Sequence, residues 1–197
     1  MPEDSLLRAE LRSAGHDGDI TSVRKLDGGF AAGAWLVCFA DGTRVVGKTL
    51  ADAPDGLFAA EAEGLAALRA TGHVRVPDIL AVTRRLLLLG ELPAREDSEP
   101  AWEALALGLA AMHRDTVSAR FGWASDGYLG LFRQENTWTV NGHEFFTERR
   151  LLRYLREPRV GRALTAADRR ALEACATACR TSSRRCPPSS RTATCGP

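Results

Sequence analysis

Residues Gly42 to Thr49 read GTRVVGKT, and this octet constrains the fold most, because the two structures it permits exclude each other. Its letters satisfy the phosphate-loop pattern G-x-x-x-x-G-K-[ST], in which a glycine-rich loop wraps phosphates and the Lys-Thr pair opens a helix. They also spell a β-strand. Between the glycines stand Thr, Arg, Val and Val, which favour extended backbone, and Pro54 follows too closely for a helix to open at Lys48. The expectation is therefore a strand through Val45 to Leu50, which would dispose of the phosphate-loop reading.

Around the octet, glycine-bearing turns divide short apolar runs. ITSVRKL from Ile20, AAGAWLVCFA from Ala31 and TRVVGKTL from Thr43 are separated by Asp27-Gly28-Gly29 and by Asp41-Gly42, the pattern of a three-stranded antiparallel meander. An amphipathic helix over residues 5–14 precedes it, broken by Asp17, Gly18 and Asp19. Ala53, Pro54 and Asp55 open a second helix to about Ala70, ended by Thr71 and Gly72. Two strands follow, near Ile79 to Thr83 and Leu86 to Leu89, and the polar PAREDSEP reads as a linker. WEALALGLAAMHR is then an amphipathic helix with Trp102, Leu105, Leu109 and Met112 on one stripe.

Composition narrows the partners. A chain of 197 residues, 45% hydrophobic, can bury a real core. With 26 basic against 25 acidic residues, it has no electrostatic footprint for nucleic acid or an anionic membrane. No apolar run approaches the roughly 20 residues of a membrane helix, and the N-terminus MPEDSLLRAEL is acidic and amphipathic, so a cytoplasmic protein is expected. Cys38 lies on an apolar strand, while Cys175, Cys179, Cys186 and Cys195 crowd the tail. Their C-x3-C-x6-C-x8-C spacing lacks the short knuckles of common zinc sites, and no histidine is near.

The stretch FGWASDGYLGLFRQENTWTVNGHEFFTERRLL, from Phe121 to Leu152, joins aromatic anchors to an Asn, a Gln and a basic helix. It resembles the central signature of the fructosamine kinase (ketosamine-3-kinase) family, at Phe121, Gly122, Trp123, Asp126, Gly130, Gln134, Asn136, Trp138, Phe145, Phe146, Arg149, Arg150 and Leu151. The element order fits this: helix, three strands, helix, two strands, linker, helices is that of a protein-kinase-like fold. The fold class expected is α+β, with an antiparallel-sheet small lobe over residues 1–92 and an incomplete helical large lobe over 93–174.

A kinase small lobe must hold a triphosphate. Gly28 and Gly29, with Gly33 after them, sit where missing Cβ atoms would let amide groups approach phosphate oxygens, although most such turns are only hairpins. Lys48, within VVGKTL, matches the V-x-x-K lysine that contacts the α- and β-phosphates in kinase-like enzymes. Two glutamates of the following helix could fix it. Glu61 shares a face with Leu57, Leu65 and Leu68, where a carboxylate is costly unless paired, whereas Glu63 lies among alanines, so Glu61 is the expected partner.

By the same resemblance Leu89, Gly90 and Glu91 line the adenine edge through main-chain groups. Gln134, Asn136 and Trp138 would lie on the acceptor side, since amides recognise hydroxyls and an aromatic plane stacks on a sugar. His113 resembles the histidine of an L-A-x-L-H element and reads equally as a locally packed helix-end residue. The family reaction is phosphorylation of a free or protein-bound ketosamine at the sugar 3-hydroxyl, with ATP and Mg2+ as cofactors, which reverses glycation.

The family's catalytic loop H-G-D-L-W-x-G-N, whose Asp is the base, does not occur in these 197 residues, and no later magnesium-binding Asp follows. After Glu173 the chain reads ACATACRTSSRRCPPSSRTATCGP, without evident helical or strand periodicity. Plausible codons for this tail, with wobble bases chosen mostly as G or C and read two bases out of frame, can give LRDRVPHLVPAMPPVLTHGDLWS from near Cys175. Residues 175–197 are accordingly expected to be a frameshifted tail on a truncated chain that has lost its parent activity. Two alternatives stand: a non-catalytic nucleotide- or sugar-binding pseudokinase, and a phosphotransferase acting on aminoglycosides or choline, which the Gln134, Asn136, Trp138 and Phe145 set disfavours.

Overall fold

The computed structural model describes residues 4–27, 31–94 and 97–181. Helix α1 (Asp4–Ser13) leads into strands β1 (Ile20–Leu26), β2 (Gly33–Phe39) and β3 (Arg44–Thr49). Helix α2 (Leu57–Thr71), strands β4 (Ile79–Val82) and β5 (Leu86–Gly90), and helix α3 (Glu99–Asp115) follow. The first five strands form one antiparallel sheet in the order β1-β2-β3-β5-β4.

Alternation along β3 and β5 makes the sheet two-sided. Val45 on β3 and Leu86 and Leu88 on β5 face the core containing Leu7 and Leu11 of α1, with Trp35, Val37 and Phe39. Leu87 and Leu89 face the core containing Leu57, Phe58 and Ala62 of α2, against which Val46 packs. All four leucines of β5 are buried because helices cover both faces of a central strand, which is why LLLL shows no polar alternation.

The octet is a strand and not a phosphate loop, and each of its glycines has a local cause. Gly42 takes φ +86° in the β2–β3 turn, where Asp41 Oδ1 accepts the Thr43 N–H at 2.8 Å. Gly47 stands under α1, where a Cβ would lie 2.6 Å from Leu7 Cδ1. Helix α2 starts later than expected, at Leu57, because Gly56 at its N-cap is left-handed (φ +82°); Gly72 (φ +70°) closes it as expected.

The chain divides into two compact units, one of residues 1–112 with Tyr128–Phe132, the other of His113–Gly127 with residues from Arg133 onward. Most of α3 belongs to the first, since Gly108 brings the helix so close that a Cβ would lie 2.6 Å from the His73 carbonyl oxygen. Its expected stripe is not all core: Met112 is buried, but Trp102 (52%), Leu105 (39%) and Leu109 (38%) are exposed, as is Leu107 at 63%.

Strands β6 (Gly127–Leu129) and β7 (Phe132–Gln134) form a hairpin about Gly130. The second unit holds α4 (Gly142–Phe146), α5 (Pro158–Ala163) and α6 (Ala166–Thr181). Asn141 caps α4, its Oδ1 accepting the His143 and Glu144 N–H groups at 3.0 and 3.2 Å. The basic helix expected before Leu152 is not continuous: a wide π turn spans Thr147–Leu151 and a tight 3₁₀ turn Leu152–Arg156. Helix α6 opens with a reciprocal cap, Thr165 N–H to Asp168 Oδ2 at 2.9 Å and Asp168 N–H to Thr165 Oγ1 at 3.2 Å. It runs through Cys175 and Cys179, correcting the expectation that periodicity ends at Glu173. Ala176 is fully buried and Arg180 pairs with Glu148 at 2.5 Å, so this turn has packing of its own. Cys186 and Cys195 lie outside the described residues.

Among the described glycines of the second unit, Gly122 is the one at which a Cβ would come within 3.0 Å of backbone atoms. Phe121 and Thr139 exchange two backbone hydrogen bonds of 2.8 Å, and the Trp123 N–H donates to Asn136 O at 2.9 Å. Gly122, between them, has φ +140°, and a Cβ would lie 2.6 Å from Asn136 O and 2.9 Å from Trp138 Cα. Both contacts are with backbone, which cannot step aside. Gly122→Ala should cost about 3 kcal/mol or more, combining a forbidden dihedral with overpacking. Urea unfolding would measure it, and an unchanged midpoint would contradict this packing.

Candidate functional site

Lys48 lies next to the end of β3, paired with Leu87 of β5 and Ala34 of β2. Its side chain shares the face of Val46, toward α2. There Lys48 Nζ donates to Glu61 Oε1 at 2.6 Å, both side chains about a third exposed (29% and 35%). The helix positions the carboxylate: Leu57, Phe58 and Ala62 are buried against the sheet and Glu61 sits at the margin of that face, while Glu63 is exposed. The structure brings Lys48 and Glu61 together. Gly28 and Gly29 lie outside the described residues; Gly33 begins β2, opposite Thr49.

The segment of residues 89–91, expected to line the adenine edge, is anchored on two sides. Leu89 is buried and paired with Val46. Gly90 donates its N–H to Asp78 O at 2.8 Å. The Glu91 carboxylate takes a two-pronged contact from Arg44, Nε to Oε2 at 2.5 Å and Nη2 to Oε1 at 2.7 Å. This contact holds the Glu91 carboxyl below its ordinary pKa and raises that of Arg44. Asp78 is in turn held by Arg69 of α2, Nη1 to Oδ1 at 2.5 Å, and Arg69 Nη2 donates to Pro77 O at 2.6 Å. Helix α2 is thus tied to β3 by Glu61 and to the β4 approach by Arg69.

In the second unit Gln134 and Asn136 are buried, and Asn136 is heavily committed. Its N–H donates to Asp126 Oδ1 at 2.9 Å, its Nδ2 to Ser125 O at 3.0 Å, and its Oδ1 accepts Arg150 Nη2 at 2.5 Å. Arg150 also donates to Glu135 O at 2.7 Å and stacks over Phe145 at 4.5 Å; burial lowers the pKa of its guanidinium. Arg149 pairs with Glu135. The signature from Asp126 to Arg150 is therefore one polar network that fixes the loop after β7. Trp138 alone of the three expected acceptor-side residues is exposed, its ring 5.1 Å from the Arg120 guanidinium. His113 is half-buried within α3.

Sequence reasoning missed the Arg44–Glu91 and Arg69–Asp78 pairs, along with Glu10 of α1, buried and paired with Arg85 at 2.5 Å. The one available signal was that Arg44 and Lys48, four apart on a strand, must share a face.

Among the described residues no group of three or more His, Cys, Asp or Glu side chains is placed to hold a metal ion. No described helix is long and apolar enough to cross a membrane.

A five-stranded sheet in this order, with a lysine on β3 paired to a glutamate on the next helix, defines a protein-kinase-like small lobe. A profile of the family described as fructosamine kinase matches residues 5–185. The chain belongs to the fructosamine kinase family. A protein of Thermus thermophilus named a probable ketoamine kinase is 40% identical over 149 residues, 73% of this chain and 50% of the relative. A chloroplastic protein-ribulosamine 3-kinase of Oryza sativa is 30% identical over 74% of this chain and 44% of its own length. A solved structure from Thermobifida fusca, a fructosamine-3-kinase by name, superposes with a TM-score of 0.77 at 32% identity, covering 92% of this chain and 64% of that one. The chain thus spans half or less of these two sequence relatives.

Proposed function

We propose that this chain is the nucleotide-holding portion of a kinase that transfers phosphate from ATP to a ketosamine hydroxyl, and that the 197-residue polypeptide alone does not turn over. The observation that carries the reading is the Lys48–Glu61 pair on β3 and α2 in a chain of this family. When bound, ATP supplies the transferred phosphoryl group. Lys48 binds its α- and β-phosphates with a rotamer fixed by Glu61, and Leu89, Gly90 and Glu91 border the adenine. Gln134 and Asn136 act on the acceptor side through the loop they shape, and Trp138 offers a plane for the sugar. The names of the relatives, ketoamine and ribulosamine kinases, support a ketosamine as acceptor.

The lack of an HGDLW string supports loss of turnover, because phosphoryl transfer depends on positioned carboxylates for the base and metal. The same lack favours the pseudokinase as the second reading. Purified protein with ATP, magnesium and a fructosyl-amine should show ATP-dependent stabilisation without phosphorylated product. Turnover in the ordinary kinase range of about 1 to 100 per second would overturn the inactive assignment. No nucleotide binding at all would overturn the whole reading.

A further inference from the structure

The face of the sheet that carries Lys48 is a ladder of three rungs. Lys48 pairs with Leu87 and Val46 with Leu89. One step further, beyond the last regular pair, Arg44 meets Glu91 through two side-chain hydrogen bonds, and the Glu91 N–H points back to Arg44 O at 3.4 Å. Residues 44, 46 and 48 lie on one face by strand parity. Four residues of strand span ~13 Å, a length suited to a purine at one end and its second phosphate at the other. One strand thus carries the phosphate-side cation at residue 48 and grips the base-side backbone at residue 44.

We infer that Arg44 is a positioning residue for the base: by clasping Glu91 it fixes the main chain at residues 90–92 in the register against which the purine of a nucleoside triphosphate is read. The inference rests on the nucleotide-binding reading above and goes beyond it, since Arg44 itself touches no phosphate. Two features argue against an incidental surface pair. Its geometry is two-pronged, where most exposed pairs are single and mobile. The neighbouring residue is restrained from the opposite side, by Gly90 N–H to Asp78 O, with Asp78 held by Arg69. The segment that would receive the base is therefore pre-organised from both flanks before ligand arrives, which lowers the ordering cost of binding.

The test separates base from phosphate. Binding of ATP and of inorganic tripolyphosphate is measured on the full chain for the wild type, Arg44→Ala, Lys48→Met and the double exchange Arg44→Glu with Glu91→Arg. Arg44→Ala should weaken ATP by about tenfold, as expected when a pre-organised contact is released, and leave tripolyphosphate unchanged. The double exchange should restore most of the ATP affinity, and Lys48→Met should lose both ligands. A merely structural role would shift the ligand-free melting temperature without changing the ATP-to-tripolyphosphate ratio. An unchanged ratio in Arg44→Ala, beside a wild type that binds both and a Lys48→Met that binds neither, overturns the positioning role alone. A wild type that binds neither ligand overturns the nucleotide reading and this inference with it.

Discussion

Replacing Lys48 with Met is expected to abolish the thermal stabilisation that ATP gives this protein. Ligand that binds only the folded state stabilises it by about 2.7 kcal/mol at a hundredfold excess over Kd, so the wild-type signal is a shift of several degrees and its loss is unambiguous. The mechanism is local. Lys48 Nζ sits 2.6 Å from Glu61 Oε1, and in the proposed function its ammonium is the charge offered to the phosphates. Glu61→Gln keeps that charge but loosens the side chain holding it, so the shift should shrink without vanishing. Glu63→Gln should leave it nearly intact, because Glu63 lies exposed on another side of α2. Without ligand the Lys48 and Glu61 variants should differ from wild type by about 1 kcal/mol or less, since a partly exposed pair contributes little. Equal loss from the two glutamate changes would show that α2 does not present Glu61 to the site.

How much of this was legible in the sequence depended on the range of the interaction. The choice between loop and strand at Gly42 to Thr49 could be made from Thr, Arg, Val and Val, because extended backbone is a local preference. Glu61 could be separated from Glu63 by helical phase alone. The four leucines of β5 could be placed in a strand, but their burial on both faces required α1 and α2 to arrive from opposite sides. Arg44 with Glu91 was not legible: the contact joins residues 47 apart, and strand pairing register brings them together. The second unit failed differently. Phe145 to Leu155 has helical spacing, yet Arg149 and Arg150 are drawn onto Glu135 and Asn136, and the backbone there widens into a π turn before tightening. Asn136, by residue type a candidate for sugar hydroxyls, satisfies Asp126, Ser125 and Arg150 instead, a commitment visible only once the hairpin is folded. Helix α6 continued past Glu173 because alanine tolerates helix in any context, which composition-based reading of the tail underweighted.

We propose that residues 175–197 are read out of frame, and restoring the frame near Ala174, with the downstream gene segment supplied, is then expected to yield an active ketosamine kinase. Two independent features argue for it. Codons chosen for the tail and read two bases out of frame can spell HGDLWS, the start of the loop whose Asp serves as base in this family, while the 197 residues as read do not contain it. The present chain also leaves apolar surface uncovered on α3, where Trp102, Leu105 and Leu109, on one stripe of the helix, are exposed. A contiguous stripe of that kind favours association and marginal stability. The added polypeptide would supply the base and cover the stripe, so the repaired protein should gain turnover of about 1 to 100 per second and remain monomeric at concentrations where the present chain associates. The two gains separate by mutation: changing the restored Asp to Asn should remove turnover while keeping the solubility, because the carboxylate acts on the acceptor proton and the fold does not depend on its charge. Sequencing the gene through the codons after Glu173 decides the premise directly. If the present frame and stop are confirmed, and the 197-residue chain proves monomeric and unfolds in one cooperative step, the exposed face of α3 needs no missing partner and the pseudokinase reading takes the place of the frameshift.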